Sequence, residues 1–170
     1  MAENNKMSRR DFFKGMAQKI RLANWQEDNI SGLHPVLREA DEYLKNENYE
    51  EARKNYEEFL QEEPGHIEAL KMAGFCCLHQ ENFEEALNYW DKVEQIRPDD
   101  FCTLYKGIAF ARQGSLQDAI YVWKSYFNIK KPLIQREINV TLALVENGEE
   151  LDPLEVAENI EKAISLQKKS

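Results

Sequence analysis

Residues 48–64 read NYEEARKNYEEFLQEEP, and residues 82–98 read NFEEALNYWDKVEQIRP. Superposed at a period of 34 residues, they align Tyr49 with Phe83, Ala52 with Ala86, Tyr56 with Trp90 and Pro64 with Pro98. A third copy carries Leu116, Ala119, Trp123 and Pro132. Upstream of each block a small residue leads an apolar one by three: Ala40 and Tyr43, Gly74 and Cys77, Gly107 and Phe110. The register is not uniform. Ala52 to Ala86 is 34 residues, Ala86 to Ala119 is 33, and Pro98 to Pro132 is 34 again. This predicts a tighter start to the third unit and a second helix one residue longer within it.

The repeat has a direct physical reading. A small residue at Ala40, Gly74 or Gly107 lets two helices approach closely, and the ring of Tyr56, Trp90 or Trp123 fills the space between neighbours. Each proline cannot continue the helix before it and so punctuates the unit. One hairpin cannot bury its apolar face alone, but a stack can. Hairpins are expected at 34–47 with 50–62, 66–80 with 84–96, and 100–113 with 116–130, with turns at Asn48, Asn82 and Gly114. After Pro132 an apolar helix ends near Gly148, and Asp152-Pro153 opens a last helix whose apolar stripe suits a solenoid cap.

This pattern resembles the tetratricopeptide repeat (TPR), whose order is G-x2-Y, A-x3-F, then P. The resemblance implies an all-α fold, a right-handed solenoid of helical hairpins. The expected division is a basic amphipathic N-terminal helix and linker over residues 1–32, three repeats over residues 33–132, and a degenerate fourth hairpin or C-terminal cap over residues 133–170. In this family the first helices line a concave groove. That phase assigns Leu37, Asp41, Leu44 and Lys45 in the first unit, Lys71, Phe75, Leu78 and His79 in the second, and Phe101, Leu104, Tyr105, Ile108 and Arg112 in the third. Some TPR proteins clamp the C-terminus of heat-shock chaperones with Lys and Asn at positions that are Leu37 and Asp41 here, so that ligand is not expected. An apolar trough suits an amphipathic helix or extended peptide, with Lys71, Arg112 and Asp41 setting register. The expected function is non-catalytic protein binding by an adaptor, scaffold or assembly factor. An alternative is a dedicated chaperone for a secreted or exported redox client, since small acidic three-repeat proteins include the class II chaperones of bacterial type III secretion.

Composition narrows the classes. The 170-residue chain has a formal net charge of −9, a poor balance for nucleic-acid binding. No apolar run reaches the length of a membrane span. Three cysteines suggest a reducing, cytoplasmic setting. Charge is unevenly spread. Residues 1–21 carry six Lys/Arg against Glu3 and Asp11, a surplus of four, leaving thirteen net negative charges on the remainder.

Ser8-Arg9-Arg10-Asp11-Phe12-Phe13-Lys14 resembles the twin-arginine export motif. The following residues, with Lys19 and Arg21, lack the apolar stretch and cleavage site of a signal. Phe12, Phe13, Met16 and Ile20 instead form the apolar side of a helix from Arg9 to about Ala23, with basic residues elsewhere. Such a helix suits a cap or a docking element for a partner, an anionic membrane surface or the chain's own groove, in this molecule or a neighbour.

The residues offer little chemistry. Cys76 and Cys77 point about 100° apart on a helix and are poorly placed to chelate one metal. Cys77 falls at a core position of the repeat. A thiol-redox or metal role for Cys76, Cys77 and Cys102 is the alternative of a different class. His34, His66 and His79 each adjoin a helix end, where capping or solvation is the default. There is no nucleophile elbow, phosphate loop or H-E-x-x-H. The paired glutamates fall at helix starts or on polar faces. No enzyme activity, metal or cofactor is expected.

Overall fold

The computed structural model describes residues 34–168. These form eight helices and no strand: α1 Pro35–Lys45, α2 Tyr49–Glu62, α3 Ile67–His79, α4 Phe83–Ile96, α5 Asp100–Arg112, α6 Leu116–Trp123, α7 Pro132–Glu146 and α8 Pro153–Gln167. Consecutive helices pack as three hairpins, α1 with α2, α3 with α4 and α5 with α6, and each hairpin stacks on the next.

The repeated residues make repeated contacts. The indole N–H of Trp90 donates to the Lys71 carbonyl at 3.2 Å, and that of Trp123 donates to the Leu104 carbonyl at 3.1 Å. Each acceptor lies three residues before the glycine of its own hairpin. A Cβ added to Gly74 would sit 2.6 Å from Nε1 of Trp90, and one on Gly107 would press still closer on Trp123. Both rings are fully buried, so neither has room to move. The first hairpin carries Ala40, and its ring is the smaller Tyr56, whose hydroxyl donates to Asp41 Oδ1 at 2.6 Å. Ring size and the small residue therefore vary together.

The turns are also copies. Glu47 and Glu81 both have φ of 60°, Gly114 has 85° and Gly148 has 83°. In each case the next N–H reaches back to a carbonyl five residues earlier: Asn48 to Tyr43, Asn82 to Cys77, Ser115 to Phe110 and Glu149 to Leu144. This is the left-handed ending that closes helix C-termini. The left-handed residue thus precedes Asn48 and Asn82 by one position. Gly148 also extends the turn series 34 residues beyond Gly114.

One expectation fails in the third unit, while the last helix starts at Asp152-Pro153 as read from the sequence. The third second-helix was read as 116–130 and one residue longer than its counterparts. Instead α6 has 8 residues, against 14 in α2 and in α4. The Ser125 hydroxyl donates to the Val122 carbonyl at 2.9 Å, and Asn128 folds the following segment by accepting from the Lys130 N–H at 2.9 Å. The fourth unit starts its second helix at Pro153, five residues after the turn glycine rather than two. Among the described residues α7 packs chiefly on α8, and it is α8 that packs along α5.

Candidate functional site

The first helices of the hairpins are α1, α3 and α5. A run of rings joins α3 and α5 and includes Tyr49 from the start of α2. Tyr49 and His79 stack with centroids 4.4 Å apart and planes 6° apart. Phe75 lies 4.4 Å from His79 and meets Tyr105 edge-on at 5.3 Å. Phe101 lies 4.4 Å from Tyr105. Burial, then the charges of Arg112 and Lys168, push the His79 pKa down to about 3, so the imidazole is neutral at ordinary pH. Burial, followed by the Glu161 charge, raises that of the Tyr105 phenol. Capping or solvation was the default for His79, and neither describes its ring contacts. His66 does cap α3, accepting from the Ala69 N–H at 3.2 Å. His34 occupies the N-cap of α1 without a side-chain cap bond and meets Phe59 edge-on at 4.8 Å.

The sequence-assigned groove residues fall on these helices, and most are buried: Leu37, Leu44, Lys71, Phe75, Leu78, Phe101, Leu104, Tyr105 and Ile108. Lys45 is exposed and Asp41 partly so. The polar residues expected to set register have partners within the fold. Asp41 accepts from Tyr56. Lys71 reaches Glu68 at 3.0 Å and Asp99 at 3.2 Å. Burial lowers its pKa, but the two carboxylates together hold it above the ordinary value. Arg112 grips Glu161 of α8 through both oxygens, with Nε to Oε1 at 2.8 Å and a second bond from NH2 to Oε2. Both side chains are at least nine-tenths buried. α8 therefore takes part of the surface that α5 was expected to give a ligand. Glu161 was missed in the sequence. The available signal was an acidic residue between Ile160 and Ile164, inside the stripe read as apolar.

A second hollow, of about 530 Å³, opens between α4, α5 and α6, with Leu87, Phe110 and Val122 in its lining. Tyr121 beside it is 80% exposed, and Phe127 and Ile129 are exposed beyond α6. At its edge Lys106 bridges Asp91 and Glu94, each at 2.6 Å.

All three cysteines are buried free thiols. Burial raises each thiol pKa, that of Cys77 to about 12, which opposes thiolate chemistry. Among the described residues no group of three or more His, Cys, Asp or Glu is placed to hold a metal. Nor is any helix there long and apolar enough to cross a membrane.

A family model described as tetratricopeptide repeat matches residues 37–101, from the first groove-assigned residue to Phe101. Residues 37–101 are tetratricopeptide repeats. The matched span covers α1 to α4 and the start of α5, where the repeats are most regular. TPR domains generally mediate protein–protein interaction. No curated protein matches the chain. The docking residues assigned by sequence, Arg9, Arg10, Phe12, Phe13, Met16 and Ile20, lie outside the described residues.

Proposed function

We propose that this protein is a non-catalytic binding module, an adaptor or assembly factor whose concave face takes a helix or extended segment of another protein. The supporting observation is the apolar and aromatic character of that face on α1 and α3. Leu37 and Leu44 continue into Phe75, Leu78 and the Tyr49–His79 stack. Such a surface gives affinity through buried rings and aliphatic anchors rather than ion pairs. The internal engagement of Asp41, Lys71 and Arg112 shifts the expected polar contacts to the rim, where Lys45 is exposed. The buried thiols support a binding role over redox chemistry and a reducing, cytoplasmic compartment.

The test is co-purification of the full chain from its native cell, compared with Phe75→Glu and Lys45→Glu variants whose helicity is checked by circular dichroism. A partner retained by the wild type and lost from folded Phe75→Glu supports the reading. Equal capture by all three overturns it. One dominant secreted or redox client would make the protein a dedicated chaperone rather than a general scaffold.

A further inference from the structure

The space between the second helices of neighbouring hairpins is bridged in one place and open in the next. Between α2 and α4, Arg53 donates to Glu57 at 2.6 Å and to Glu85 at 3.1 Å. The Tyr89 hydroxyl donates to the same Glu57 at 2.8 Å. One repeat on, Leu87 follows Ala86 as Arg53 follows Ala52, and Val122 stands three residues after Ala119 as Tyr89 stands after Ala86. Neither side chain can donate a hydrogen bond. Among the described residues no hydrogen bond or ion pair joins α4 to α6, and the hollow of about 530 Å³ lies between them. The acids of the bridge are nevertheless kept. Asp91 and Asp118 stand where Glu57 and Glu85 do, without a guanidinium between them. Asp91 shares the Lys106 ammonium with Glu94. Glu84 and Asp118 are exposed, and no Lys or Arg among the described residues pairs with either. The lining thus sets three carboxylates against one ammonium that is already engaged.

We propose that this hollow is a second docking site, which takes an aliphatic or aromatic anchor from a partner protein's segment flanked by Lys or Arg. It lies apart from the face discussed above and does not rest on that reading. Leu87, Phe110 and Val122 give the anchor an apolar seat. The volume falls within the roughly 300–1,000 Å³ over which pockets take ligands. Tyr121 at the edge is 80% exposed, where the preceding hairpin has Asn88. A tyrosine beside an apolar hollow is the residue type that carries binding energy once a partner excludes water. The carboxylates select the partner's charge. They steer a basic segment into register and repel an acidic one.

The experiment immobilises the full chain and selects from a randomised peptide display library. Enriched peptides are synthesised and titrated by fluorescence anisotropy against two variants checked by circular dichroism. Leu87→Arg/Val122→Tyr copies the bridge of the preceding pair into the hollow, where Asp91 and Asp118 match its acids. Glu84→Lys/Asp118→Lys reverses the surrounding charge and leaves the apolar seat intact. The expected peptides carry Leu, Phe or Trp beside basic residues. Both variants should bind them roughly tenfold more weakly or worse, and Phe75→Glu should bind them as the wild type does. The charge-reversed variant should recover binding when the same peptide carries Glu in place of its Lys and Arg, a result that decides the question even if the bridged variant does not fold. Failure to enrich such peptides, or equal binding by wild type and both variants, overturns the site. Loss from the bridged variant alone overturns the basic chemistry. Peptides lost only from Phe75→Glu support the proposed function and overturn this second site. A wild type that dimerises in sedimentation, and a bridged variant that does not, would assign the hollow to a second copy and likewise overturn it.

Discussion

The second and third hairpins begin alike and end differently. Each places a glycine under a tryptophan whose indole N–H bonds a carbonyl of the facing helix, and each turns through a left-handed residue. Yet α4 runs 14 residues and α6 only 8. The ring of Tyr121 on α6 and that of Phe127 beyond it stand in solvent. The contrast separates two kinds of instruction. The interior of a hairpin is set by residues that touch within it. The length and cover of its outer helix depend on what stacks next, and after the third hairpin that neighbour is an irregular pair.

The hardest way to break the contrast is at the tie between α5 and α8. Glu161→Leu leaves the Arg112 charge buried without its main counterion and should destabilise the chain by roughly 3–5 kcal/mol. Adding Arg112→Met should recover most of that loss in urea unfolding. If Glu161→Leu alone is nearly neutral, α8 is a loose cap and the third hairpin stands without it.

Next is the glycine pair. Gly107→Ala should cost about 3 kcal/mol through overpacking against Trp123, and Gly74→Ala somewhat less. The reciprocal change, Ala40→Gly, fits its site and should cost only about 1 kcal/mol in helix propensity. Denaturation midpoints for the three variants would rank the hairpins. A tolerated Gly107→Ala would mean that the shortened α6 lets its ring escape.

A smaller effect separates the ring-lined face from the rest by pH. His79 titrates near 3 in the fold, below the ordinary value of about 6.5 for the unfolded chain. The unfolded state therefore takes up the proton first. The contribution of neutral His79 is whole above about pH 6.5 and is lost as pH falls towards 3. Between pH 7 and pH 5, wild type should lose roughly 2 kcal/mol more stability than His79→Phe. Equal losses would show that the imidazole is already charged or solvated in the fold.

The least effect concerns the turns. Glu47 and Glu81 hold a backbone conformation that Gly114 adopts without strain. Glu81→Gly should therefore stabilise by up to about 1 kcal/mol, read as a small rise in Tm. Gly114→Glu should cost a similar amount.

The inner plan of each hairpin was legible because its signals are local. Ala40, Gly74 and Gly107, with their rings and prolines, recur at fixed spacing and meet in the fold. The end of α6 was not legible by repeat arithmetic, since Pro132 restored the 34-residue count while Ser125 and Asn128 had already ended the helix. The groove-assigned residues fall on α1, α3 and α5 as the register predicts, but register carries no information about what lies over them. Arg112 was read as facing a ligand because its partner, Glu161, is 49 residues away on a helix outside the repeat.

Gly148 turns the chain as its three predecessors do, but residues 149–152 delay α8 before Pro153 starts it. Hairpin stacking is a neighbour-to-neighbour rule with no intrinsic stopping point. A few residues of slack are enough to interrupt it, because they uncouple the direction of a helix from the bend before it. The same backbone motif that propagates the array thus becomes, with a short spacer attached, the punctuation that stops the count.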